Sequence, residues 1–268
     1  GSNGGGDTSA ENIKVYAEDT LNLTVKAPTD GETLGETEIA VPSEPVEKTV
    51  VEDVTDNPID TTNAVVNSDG TFSGQITGVD DSKLDVLSGN TPFMIRIKVK
   101  LNAAPTGNHV LINRGGEPYQ VAYGKDGTTA KIKFQMRDTG GQWHEAKCTI
   151  DSSKIGQEID VLALYTGAKM GVWVDSERNK YEKVDADSGS FTMKSGSAKA
   201  LKIGESGSPA SIESIQIVNN IGRLDDDSDA NYNDTVIPAF NKANELLNIQ
   251  IVKKTHLVDC LLYTSDAA

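Results

Sequence analysis

A chain of 268 residues is long enough to bury a sizeable core without disulfides or metal. Lys and Arg number 25 against 40 Asp and Glu, a formal charge of −15 that argues against nucleic acid or an anionic membrane surface as a partner. No apolar run approaches the ~18 residues that span a bilayer, and the N-terminus lacks a basic segment followed by an apolar one. Residues 1–48 are acidic and rich in Thr, Glu, Gly and Pro, as in a linker or the end of an upstream module, with short alternations at Ile13–Tyr16 and Leu21–Val25. From Val50 to Asn220, turn signals such as Ser68-Asp69-Gly70, Lys125-Asp126-Gly127 and Thr139-Gly140-Gly141 recur every eight to twelve residues. That spacing predicts an all-β fold of antiparallel strands.

Phe93–Leu101 and Ala130–Arg137 alternate strictly, so each presents one apolar face to a core and one basic face to water. Between Phe93 and Arg137 eight basic residues face two acidic ones, a local +6, so the remainder carries −21. Further strands are predicted at Thr71–Val79, Val110–Asn113, Tyr119–Tyr123, Trp143–Ile150, Ile159–Tyr165, Met170–Val174, Ser190–Met193, Ala200–Ile203 and Ile212–Val218. Cys148 shares a face with Ala146 and Ile150, which predicts a small buried hydrophobe. One helix is predicted at Pro238–Leu247, with Pro in the tolerated first turn and Ala239, Phe240, Ala243, Leu246 and Leu247 along one stripe. The 221–259 segment thus reads as an acidic loop, a helix and a strand. Cys260–Ala268 resembles translated sequencing-adapter sequence and is set aside from fold reasoning.

The order Thr91-Pro92-Phe93 to Leu101, Val110–Arg114, Tyr119–Tyr123, Lys131–Met136, Gln142-Trp143-His144, Gly171–Asp175, Leu201–Gly204 and Ile212–Ile217 resembles the laminin-G-like, concanavalin A-like lectin and glucanase jelly roll over residues 49–220. The resemblance implies a two-sheet antiparallel jelly-roll sandwich with one short C-terminal helix. It also implies an extracellular or surface module, of bacterial or phage origin, that binds a polysaccharide, a glycan or a surface protein, often with calcium at a loop rim. Trp143 stands where that family buries its Trp, so the resemblance implies a core role there.

Glu158-Ile159-Asp160-Val161-Leu162-Ala163 resembles the glucanase motif, a first Glu as nucleophile and a last Glu as acid/base on a bulged strand. Ala163 replaces the second carboxylate, and double displacement needs two carboxyl groups ~5 Å apart. No enzyme activity is therefore expected, and a glucanase-like hydrolase is the less favoured alternative. Tyr165–Gly171 faintly resembles an alginate lyase segment; of His109, His144 and His256 only His144, in Gln142-Trp143-His144, lies in a Gln-x-His triplet, and on a strand after Trp143 it reads as a structural or half-exposed residue rather than a base.

The expected role is a non-catalytic carbohydrate-binding module, with a structural or protein-binding adhesion module as the alternative. If Val172 and Val174 face the core, Trp173 and Asp175 look outward and the indole stacks on a sugar ring; a covering helix or loop is the competing reading. Tyr119 and Tyr123 are secondary candidates. A basic row of Arg96, Lys98, Lys131 and Lys133, with Lys100, offers charge-assisted hydrogen bonds to an anionic polysaccharide, or simply keeps a sheet soluble. Asp225, Asp227 and Asp229 resemble the start of a calcium loop, although Ala230 and Val236 stand where its Gly and Glu would be.

Overall fold

The computed structural model describes residues 60–115, 117–175, 190–196, 199–222, 224 and 232–250, together with 46–53, 182–183 and 251–256 as backbone strands. The chain forms two compact units. The smaller comprises 1–52 and 252–268 and holds most of strand β1, Val46–Asp53, which pairs with the last strand.

The larger unit, Asp53–Ile251, is built from antiparallel strands. They are β2 Asp60–Val66, β3 Phe72–Thr77, β4 Phe93–Leu101, β5 His109–Arg114, β6 Tyr119–Asp126, β7 Thr129–Arg137 and β8 Trp143–Thr149. There follow β9 Glu158–Tyr165, β10 Met170–Val174, the two-residue β11 Glu182–Lys183, β12 Leu201–Glu205, β13 Ala210–Asn219 and β14 Asn244–His256. Among the described residues, the antiparallel all-β architecture with one short α-helix is as the sequence predicts. The helix spans only Ile237–Lys242, after a π-helical turn at Tyr232–Val236. It ends early because Asn244 onward pairs with β13, placing Leu247 opposite Ile217 and Ile249 opposite Ile215. The predicted strand Ser190–Met193 is reduced to bridges from Met193 to Gly89 and Asp138.

Hydrogen bonds run without a break along β10-β9-β4-β13-β3-β12-β5-β6-β7-β8-β11. The two layers expected from the sequence are thus two halves of one path, joined where Ile212 of β13 pairs with Phe72 of β3. At that crossing β13 carries a bulge against β4, which bends the strand between the halves. Glycines make the crossing passable. Gly204 has φ +76, and a Cβ there would sit 2.2 Å from the Gly74 carbonyl oxygen.

The halves meet through Phe93. Its ring lies 5.2 Å from Tyr119 on β6 and 6.3 Å from Phe134 on β7, and on its own half 6.0 Å from Tyr165. Behind it Ile95, Ile97, Val99 and Leu101 are buried from β4, and Val121, Ile132, Ala146 and Cys148 from the facing strands. The inner faces therefore oppose each other, and the outer faces point away from each other.

One outer face carries a second apolar cluster. Met94 of β4, Leu162 and Leu164 of β9, Trp173 of β10 and Val218 of β13 are covered by Ile221, Leu224, Tyr232, Val236 and Phe240. The Trp173 ring sits 5.5 Å from Tyr232. Truncation of a buried aromatic of this kind costs about 3–5 kcal/mol. Trp173→Ala is expected to lower the unfolding free energy by that amount, seen as a lower urea midpoint at unchanged m-value, and a loss under about 1 kcal/mol would show that the cover does not close on the indole.

Candidate functional site

The structure first relocates the residues singled out by sequence. Trp173 is 1 % exposed, which excludes it from a ligand face as the cluster stands. The cover comes from the helix and the turn before it. Asp175 is a structural residue at φ +53: one carboxylate oxygen accepts the Asp160 N–H at 2.8 Å and the other accepts from Lys154 Nζ at 2.7 Å. Tyr119 and Tyr123 are fully buried. Burial raises both phenols, Tyr123 to about 12, and the Tyr123 hydroxyl donates to the Ala103 carbonyl.

The predicted basic row is divided between opposite surfaces, since β4 and β7 turn their inner faces toward each other. Arg96 makes a two-pronged contact with Asp160 at 3.0 and 2.7 Å and lies over the Phe240 ring at 5.2 Å. Lys98 is exposed in register with Asp160, and Lys100 pairs with Asp69 at 3.0 Å. Two further carboxyls, Glu158 and Glu213, lie side by side here, and their mutual hydrogen bond, aided by burial and repulsion, raises Glu158 to about 7. β9 pairs without a bulge, so Ala163 points into the core while Glu158 points away from it. Asp225, Asp227 and Asp229 lie outside the described residues. Among those described, no group of three or more His, Cys, Asp or Glu is placed to hold a metal ion.

The candidate surface is the outer face of β5 to β8, partly exposed and edged by Trp143. Register stacks its side chains in rows. Asn113, Gln120, Gln135 and Glu145 lie opposite one another across four strands, and the row beside it is Val110, Ala122, Lys133 and Lys147. Asn113 donates to Gln120 Oε1 at 3.4 Å, Gln120 to Gln135 Oε1 at 2.9 Å, and Gln135 to Glu145 Oε2 at 2.5 Å. The carboxylate fixes the sense of this ladder because it only accepts, so each amide in turn must donate toward it. Adjacent strands are ~4.8 Å apart, giving a row about 14 Å long.

Two of the flanking cations share one carboxylate. Lys133, 7 % exposed, reaches Asp126 Oδ1 at 2.9 Å and the Lys125 carbonyl at 3.1 Å, while Lys147 reaches Asp126 Oδ2 at 2.6 Å. Hydrogen bonds from Lys147 and then Lys133 hold Asp126 down to about 2. Lys131 donates to Thr149 at 2.7 Å.

Trp143 flanks the carboxylate end of the ladder, on the side away from Lys147. Sharing a face with Glu145 and Lys147, it is 45 % exposed, contrary to the core role the resemblance implies. The guanidinium of Arg137, directly opposite, stands 5.6 Å from its ring and is held by Glu117 and by the Gly141 carbonyl. A cavity of about 340 Å³ lies behind this hairpin, lined by Asp138, Thr139, Gly140, Gln142, His144, Ser190, Phe191 and Thr192. Buried His144 bonds Asp138 at 2.8 Å and stacks on Phe191 at 3.9 Å, which ties the hairpin to the 190–196 strap. His109 is likewise structural: its Nε2 accepts the Thr106 N–H, so Nδ1 carries the proton toward Glu205 at 2.9 Å.

No family model and no curated protein matches the chain. Among solved structures, a variant of alginate lyase A1-II' is 12 % identical with a TM-score of 0.41, over 60 % of this chain and 85 % of that one. Sheep galectin-11 in complex with glycerol is 17 % identical with a TM-score of 0.31, over 49 % and 93 %. The polysaccharide lyase family 18 protein aly-SJ02 is 10 % identical with a TM-score of 0.33, over 77 % and 95 %. No helix among the described residues is long and apolar enough to cross a membrane.

Two pH responses follow. Asp126 is depressed in the folded state, so its contribution is present above the ordinary carboxylate range and lost as pH falls toward about 2. Asp126→Asn is expected to lower the urea midpoint at pH 7, by leaving Lys133 without its carboxylate, and the deficit is expected to shrink between pH 4 and pH 2. Glu158 is raised, so its contribution is present below the ordinary range and lost as pH rises through about 7. Glu158→Gln is therefore expected to raise Tm relative to the parent at pH 8 and to leave it unchanged at pH 4; the reverse order would refute the Glu158–Glu213 contact.

Proposed function

We propose that this chain is a non-catalytic carbohydrate-binding module whose ligand lies along the outer face of β5 to β8. The observation that carries the reading is the juxtaposition of a half-exposed indole with a half-buried ladder of amides ending in a carboxylate. A flat aromatic surface stacks on the apolar face of a sugar ring, and in-plane amides exchange hydrogen bonds with its hydroxyls. Arg137, pinned by Glu117 and Gly141, holds the indole in one orientation before the ligand arrives.

Two features support binding without turnover. Ala163 occupies the place of the second glucanase carboxylate and is buried on the far side of its strand from Glu158. The two buried histidines, His109 and His144, are each engaged with a carboxylate as parts of loop supports.

Affinity electrophoresis through gels containing soluble polysaccharides tests the reading. Trp143→Ala is expected to abolish retardation, a loss of at least tenfold in affinity or about 1.4 kcal/mol, with Tm unchanged because the side chain is exposed. Equal retardation of parent and variant would remove the indole from the binding face.

A further inference from the structure

We infer that the β5 to β8 face selects an uncharged glycan chain rather than an anionic polysaccharide; this rests on the carbohydrate-binding reading above and narrows its ligand class. Hydrogen-bond parity separates the two ligand classes. An amide side chain offers two N–H donors and two lone pairs. Within the ladder Gln120 and Gln135 each spend one donor on the next residue and one lone pair on the previous one. Each retains one donor and one acceptor, on neighbouring strands ~4.8 Å apart.

A hydroxyl group both donates and accepts, so a run of hydroxyls satisfies both remaining positions on each amide. A carboxylate or sulfate only accepts. Placed over the same row it would leave the glutamine carbonyl oxygens without a donor, and it would face Glu145 at the end of the ladder. Leaving such groups unpaired disfavours the anion.

The flanking charges agree with this. An anion binds a face whose cations are available, and here Lys133 and Lys147 share Asp126 at 2.9 and 2.6 Å while Arg137 is held by Glu117. Drawing any of them to an incoming carboxylate means breaking an ion pair already made. Lys202 stands opposite Asn113 at the edge of the row and is exposed, so it can approach a ligand without taking part in the ladder. The chain as a whole carries −15, which opposes the approach of a polyanion at low salt.

Biolayer interferometry of the full chain tests this on immobilised β-glucan, galactomannan and agarose, and on alginate and carrageenan, from about 50 mM to about 500 mM NaCl. The expected result is binding to at least one uncharged polymer, with affinity changing less than about twofold across that salt range. That affinity is expected to fall at least tenfold in Gln135→Leu and in Gln120→Leu, each with an unchanged near-ultraviolet circular dichroism spectrum, and to persist in Lys202→Ala. Binding confined to alginate or carrageenan, weakening steeply with salt and lost in Lys202→Ala, would overturn the ligand class and leave the binding face standing. Uncharged-polymer binding indifferent to both glutamine variants would overturn the role of the ladder. Absence of binding to all five polymers would overturn the class and the carbohydrate reading together.

Discussion

The structure depends on strands β9 and β4 being apolar on both faces at one end and on one face only at the other. Along β4, Phe93, Met94 and Ile95 are all buried, and alternation to basic residues begins at Arg96. Along β9 the outward positions run Glu158, Asp160, Leu162, Leu164, so the same face passes from charged to apolar within one strand. The inward residues draw the two halves of the sheet together through Phe93. The outward ones require a second cover, which the turn at Tyr232–Val236 and the following helix provide. With Trp173 consumed by that cover, this surface has become core at one end and ion-paired at the other. The proposed function accordingly places recognition on the opposite half.

On that half the same physics has a different outcome, because no apolar residue occupies the central outward row of β5 to β8. Asn113, Gln120, Gln135 and Glu145 instead hydrogen-bond to one another across the strands. A network of this kind is rigid when satisfied. Trp143 and Arg137 add an apolar plate at its edge. For the proposed ligand, such prior organisation of the face would reduce the entropy that binding must overcome.

Much of this was legible in the sequence, and the two tryptophans show where legibility stopped. The parity of Ala146, Cys148 and Ile150 places Trp143 on the outer face of its strand, and the structure agrees; the family resemblance pointed inward and prevailed in the reading. For Trp173, periodicity put the indole opposite Val172 and Val174 as found, yet which face is covered depends on residues 48 to 67 positions later in the chain. Leu162 and Leu164 carried the signal for that cover, as apolar residues at outward positions. The amide ladder was not legible, because its four members come from four strands and meet only through registers that no single strand encodes. The split of Arg96 and Lys98 from Lys131 and Lys133 was hidden for the same reason: similar alternation does not say on which layer a strand lies.

The exchange of roles between the two tryptophans is the point on which the account turns, and acrylamide quenching of fluorescence in Trp143→Phe and Trp173→Phe reads it directly. Each variant retains a single indole. The account predicts blue-shifted emission resistant to quencher when Trp173 alone remains, and red-shifted, readily quenched emission when Trp143 alone remains. Ready quenching of Trp173 would mean that its outer face is open and would return the ligand surface to the other half of the sheet.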